Sequence, residues 1–183
     1  MGSGAICADE QASSLSAQAK REFDTAFAKA RDWKADAILV AAMIDYTQKI
    51  DPANGTDSFA FYSPSEPQYY WTMTFNQKAL SSGSTYSRAI YYKDDYKLPA
   101  DTVPVAMKYW TNDFVKALQK ADEIGGKDFR SKNAVYDINI LLSSKKDQYL
   151  VWKVGYLVGG QILFSKDIDA YTGEEFKEKT TTQ

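Results

Sequence analysis

The sequence predicts an α+β protein built from two tandem units, each a helix packed on an antiparallel sheet. Three observations lead there. Two amphipathic helical patterns open the two halves, short β-rich runs divided by turn residues follow each, and the halves repeat one another in outline. The expected division is a mobile N-terminal segment over 1–13, a first unit over 14–98, a second over 99–176 and a polar tail over 177–183.

The first helix is predicted from Leu15, Ala19, Phe23, Ala26, Phe27, Ala30 and Trp33, which fall at three-and-four spacing, with Ser13 and Ser14 as N-cap oxygens. The pattern then switches to "ADAILVAAMIDYTQ", a continuous apolar run rich in β-formers that ends in "DPANGTD". "SFAFYS", the proline-containing turn "SPSEPQ" and "YYWTMTF" come next, and "SSGS" interrupts the chain before "TYSRAIYYKDDY". One helix and four antiparallel strands are expected here. Pro99 and Pro104 bracket a linker, after which Met107, Trp110, Phe114, Leu118, Ala121 and Ile124 share one face of a second helix. That helix is expected to stop at Gly125-Gly126. Three strands follow at "AVYDINILLSS", "QYLVWKVGYL" and "QILFSKDIDAY", turning at Lys145-Lys146-Asp147 and at Gly159-Gly160.

The repeat rests on three matches in the same order. "FDTAFAKARDW" aligns with "FVKALQKADEI", "YWTMTF" with "VWKVGY", and "AIYYKDD" with "ILFSKDI". Trp71 thereby faces Trp152 in the alignment, and Lys93-Asp94 faces Lys166-Asp167.

A helix followed by an antiparallel sheet that wraps it is similar to the cystatin-like arrangement. The second unit also closes on Ile168, Asp169, Ala170, Tyr171, Thr172, Gly173 and Glu174. This stretch resembles the end of the PepSY domain, where an apolar residue precedes Asp-Ala-x-Thr-Gly-Glu. The match is close from Asp167 to Phe176 and topological over the rest of the unit. The first unit ends in "YKDDYKLP" without Thr-Gly-Glu, as a divergent copy would. The resemblance implies a bacterial extracytoplasmic module, secreted or membrane-anchored through a segment outside this chain. It further implies action by binding or inhibition, peptidases among the targets, with no catalytic residues of its own.

Composition narrows the chemistry. The 183 residues contain no histidine, which removes Ser-His and Cys-His catalysis, His-ligated zinc and ordinary haem ligation. The single cysteine, Cys7, can form neither an internal disulfide nor a cysteine metal site. The opening Met-Gly-Ser-Gly reads as an added leader on a truncated chain, and Ile6 is bulkier than the residue a lipoprotein cleavage site needs before its cysteine, so Cys7 is read as incidental. Net charge is −2 with basic and acidic residues interleaved, which excludes a nucleic-acid footprint. No apolar run approaches the roughly 18 residues of a membrane span.

The concentrated carboxylates are Asp94-Asp95, Asp167, Asp169, Glu174 and Glu175. In a strand Asp167 and Asp169 share a face, so they are read as a wet sheet face that a partner or Ca²⁺ could meet. The aromatic run "YYWTMTF" splits by alternation: Trp71 and Phe75 are assigned to the core, Tyr70 to the other face. Tyr70, Tyr92, Asp167 and Asp169 are therefore the candidate partner-binding residues. No cofactor and no metal is expected. The sequence reading is a non-enzymatic module that binds a protein or peptide, with a structural subunit of a surface assembly as the alternative.

Overall fold

The computed structural model describes residues 9–47, 50, 54–76, 86–99, 101–144 and 149–177. Cys7, the "SSGS" segment, the turn at Lys145-Lys146-Asp147 and positions 178–183 lie outside the described residues. Helix α1 (Asp9–Trp33) leads into strands β1 (Ile38–Tyr46), β2 (Gly55–Tyr62), β3 (Tyr69–Asn76) and β4 (Tyr86–Tyr92). Helices α2 (Phe114–Ala121) and α3 (Lys127–Lys132) precede β5 (Asp137–Ser144), β6 (Leu150–Val158) and β7 (Gln161–Asp169). The α+β class and the antiparallel strands are as the sequence predicts.

All the strands join one seven-stranded antiparallel sheet in the order β4-β3-β2-β1-β5-β6-β7. The boundary expected at residue 98 thus falls within a single sheet, because β1 pairs with β5 from Ala41↔Ser143 to Tyr46↔Ile138. The aligned repeats also occupy unequal places. Counted outward from that central pair, β3 is the third strand on its side, whereas its partner in the alignment, β6, is the second on the other.

Alternation places Ala42, Ile44, Phe59, Phe61, Trp71, Met73, Ile140, Leu142, Trp152 and Val154 on the face that carries the helices, where they form the main core. The continuous apolar run of β1 has a local cause. A bulge between Leu39 and Ala41 shifts the register, so Leu39 joins the main core while Val40 and Ala41 join a smaller cluster with Ala60 on the opposite face. The chain after β4 crosses that opposite face, with Tyr96 and Leu98 packed on the smaller cluster. The linker is then stitched to both central strands, through Val103 N–H to Ser144 O (2.9 Å) and Val105 N–H to Leu39 O (2.8 Å).

Three helical expectations are corrected. Helix α1 begins at Asp9, so residues 9–13 are helical and Ser13 and Ser14 lie inside it. Ala12 and Leu15 of its first turns are buried. Helix α2 starts only at Phe114, because Asp113 caps it by accepting from Lys116 N–H at 3.1 Å. Met107–Tyr109 is a separate 3₁₀ turn. Gly125-Gly126 makes a kink, with Gly125 at φ 125°, after which α3 continues. Arg130 of α3 ties the kink by a two-pronged bond to Asp122, at 2.7 and 2.8 Å.

One polar pair sits inside the helix–sheet interface. Asp57 of β2 is 7% exposed and hydrogen-bonds Glu22 of α1, whose carboxylate also accepts from Gln18 Nε2 at 3.1 Å.

Candidate functional site

Helix α1 packs over β2 and β3 and leaves β4 largely exposed. The helix-side residues of β4 are consequently uncovered: Ile90 is 55% exposed and Tyr92 57%, with Tyr86 exposed beside them. By register these stand opposite Trp71, Tyr69 and Phe75 of β3, with the exposed Arg88 opposite Met73 between them. The core's aromatic row thus runs outward into a solvent-facing stripe of apolar side chains interrupted by one arginine. Among the described residues, nothing pairs with the outer edge of β4. Its backbone donors and acceptors are therefore available to an added strand.

The other face of this corner is also tyrosine-rich. Tyr70 stands opposite Tyr91, and the rings of both pack on Tyr96, at 5.7 and 5.2 Å between centroids. The Lys93 ammonium lies 4.0 Å from the Tyr62 ring centroid and 5.4 Å from that of Tyr70. Burial pushes the hydroxyls of Tyr70 and Tyr96 above their ordinary range, and the hydrogen bond that Tyr69 donates to Tyr92 does the same for Tyr69. These groups stay neutral, and act as hydrogen-bonding tips on large apolar bodies.

The opposite edge of the sheet is differently built. Beyond β7 the chain turns at Tyr171–Gly173 and comes back along its own strand. Asp169 N–H donates to Glu174 O and Phe176 N–H to Asp167 O, each at 2.8 Å. Gly173 adopts φ 78°, which a side-chain-bearing residue reaches only with strain. The returning segment closes the C-terminal half of β7's edge.

The structure does not assemble the four predicted residues into one site. Tyr70 and Tyr92 lie on neighbouring strands but on opposite faces of the sheet. Asp167 and Asp169 share the face away from the helices, at the other side of the sheet, with Asp167 opposite Lys153. The carboxylate of Asp169 serves the turn, accepting from Tyr171 and Thr172 N–H at 2.8 and 2.9 Å. Glu174 pairs with Lys120 and Glu175 with Lys166, each at 2.7 Å, and the Lys166 bond holds the Glu175 carboxyl below its usual range. The same turn is clamped to the approach to α2, where Thr111 Oγ1 and Asn112 Nδ2 donate to Tyr171 O at 2.6 and 2.7 Å.

Sequence reasoning missed Ile90, Tyr86, Tyr62, Tyr91 and Tyr96. The available signal was the strand "YSRAIYY", which carries Tyr86, Ile90 and Tyr92 on one face and Tyr91 on the other. Among the described residues, no cluster of three metal-ligating side chains occurs, and no helix is long and apolar enough to cross a membrane. Comparison with protein families, curated proteins and solved structures finds no match to this chain.

Proposed function

We propose that this chain is a non-enzymatic binding module that captures an extended segment of a protein partner along β4. The observation that carries this reading is the open edge of β4 beside the exposed stripe of Tyr86, Ile90 and Tyr92. Main-chain hydrogen bonds would supply affinity, and alternating apolar side chains of the partner would lie on the stripe. Tyrosine suits this role because it offers a large contact area at a small entropic cost. The reading extends to two PepSY-like, cystatin-like units fused through their sheets, placed outside the cytoplasm and acting by binding or inhibition, for instance on a peptidase. What supports that extension is the Asp-Ala-x-Thr-Gly-Glu ending, together with a helix over each half of the sheet.

The test is selection of linear peptides on the full chain, followed by hydrogen exchange on the best complex. Protection of β4 amides and at least a tenfold loss of affinity in Ile90→Lys are expected. Undiminished binding to Ile90→Lys, or protection elsewhere, would refute the reading. The same edge also fits a second copy of the chain, as in a structural subunit. Sedimentation separates the two: self-association abolished by Ile90→Lys would favour the assembly.

A further inference from the structure

Helices α1 and α2 sit over different halves of the sheet, and the space between them is incompletely filled. A cleft of about 580 Å³ opens there, within the usual range of about 300–1,000 Å³ for small-molecule sites. Sequence explains the gap. The α1 wall presents Ser13, Ser16 and Ala17, and the central strand contributes Ala42 beneath them, so small side chains line the space where helix–sheet packing would otherwise close.

The other surfaces are aromatic. Phe23 and Trp110 meet edge to face at 5.1 Å, and Trp110 meets Trp152 in the same manner at 5.9 Å. The floor is closed, since Ile44 and Phe59 are each 2% exposed, whereas Met107 at the mouth is 45% exposed. An occupant would thus lie against Phe23, Trp110 and Met107, above a solid base. Methionine at the mouth adapts its shape easily.

Most polar groups of the wall are already engaged; the Ser13 and Ser16 hydroxyls are the exception. Trp152 Nε1 donates to Asn112 O at 2.8 Å, and Thr111 and Asn112 donate to Tyr171 O. Asp113 is taken up in capping α2, and Lys20 at the rim is bonded to Asp24 at 2.8 Å. What the cleft has left to offer is mainly apolar surface and ring edges, with the two serine hydroxyls on the α1 side. We infer that it is a binding site for a neutral, ring-bearing apolar small molecule, separate from the β4 edge. Ring–ring contacts with Trp110 and Phe23 give such a ligand orientation as well as burial.

The probe for this is the neutral fluorophore N-phenyl-1-naphthylamine, titrated into the full chain. Saturable one-site binding is expected, with energy transfer from tryptophan. The indole N–H resonances of Trp110 and Trp152 should shift in NMR spectra of the unmodified chain while that of Trp71 stays in place. Ser16→Phe should fill the cleft and weaken the probe at least tenfold, and Ile90→Lys should leave binding unchanged. The anionic 1-anilinonaphthalene-8-sulfonate, with related rings, should bind more weakly than the neutral probe. Unsaturable binding, shifts at Trp71 alone, equal affinity in a folded Ser16→Phe, loss in Ile90→Lys, or tighter binding of the sulfonate would each overturn the inference.

Discussion

The Asp57–Glu22 pair makes the stability of this protein depend on pH in an uncommon direction. Asp57 lies on β2 between Ile44 and Phe75 of the flanking strands, with Glu22 of α1 above it. Burial first, then the hydrogen bond and the negative charge of Glu22, raise its carboxyl from 3.8 to about 9. The folded state therefore keeps a proton that the unfolded chain releases above its ordinary carboxylate pKa. Stability from this group is complete below that pKa and falls as pH rises towards the folded value. One proton gives a slope of at most about 1.4 kcal/mol per pH unit, so about 2–3 kcal/mol should be lost between pH 5 and pH 7. Asp45 is raised too, by burial, and acts with the same sign. Asp36, held low by the Ser63 hydroxyl, and Glu175, held low by Lys166, act oppositely, but their contribution is complete above the ordinary carboxylate range and is lost only in acid. With no histidine in the chain, no imidazole titrates inside the window. Urea unfolding at intervals from pH 5 to pH 8 should show falling stability, and Asp57→Asn should be about 2 kcal/mol more stable at pH 7 with a shallower slope. A wild-type curve that is flat or rising, or an Asp57→Asn curve as steep as wild type, would refute the reasoning.

Two further substitutions probe the kink that turns α2 into α3. Arg130→Ala leaves the Asp122 carboxylate, only 12% exposed, without its two-pronged partner, and a loss of about 3 kcal/mol is expected in thermal or urea unfolding, part of it recovered by adding Asp122→Asn. In Gly126→Ala the new methyl would lie 2.9 Å from Ala121 O and 3.0 Å from the Tyr156 ring; an overpacking cost of about 1–3 kcal/mol is expected, measured the same way.

The local pattern of the sequence was legible wherever a single periodicity ruled. The apolar positions predicted for α1 from Leu15 to Trp33 all pack on or within the core, and the strands fall where the β-rich runs stand. Errors arose where a distant contact overrides a local pattern. Met107 and Trp110 fit the helical spacing of α2, yet Thr111 and Asn112 bond the turn after β7, and the helix starts only at the Asp113 cap. Asp169 reads as a surface carboxylate, but its partners are the backbone N–H groups of the turn it opens. The pairing of β1 with β5 leaves no mark in either strand, because register between strands far apart in sequence is a property of the assembled sheet. The candidate edge was half legible: its aromatic composition was visible, while the grouping of Tyr62, Tyr91 and Tyr96 with Tyr70 depends on strand pairing and on the chain crossing the sheet.

The central pairing also decides what the two halves can be on their own. If they parted at the linker, β1 and β5 would each become an edge, and Ile44, Tyr46, Ile138 and Ile140, all nearly inaccessible in the joined sheet, would border solvent. Asp45, now bonded by Asn139 Nδ2 at 2.7 Å across that pairing, would lose its cross-strand partner. Two apolar edges of this kind would invite aggregation, which makes fusion of the halves a requirement of the fold. It also ties the cleft to the joined state, since Phe23 comes from one half and Trp110, Phe114 and Trp152 from the other. The β4 edge lies at the far side of the sheet from the second half, so its exposed stripe owes nothing to the central pairing. A partner strand at β4 and a small molecule in the cleft would therefore meet only through β3, β2, β1 and the helix α1 that packs on them, and each could be lost by substitution without the other.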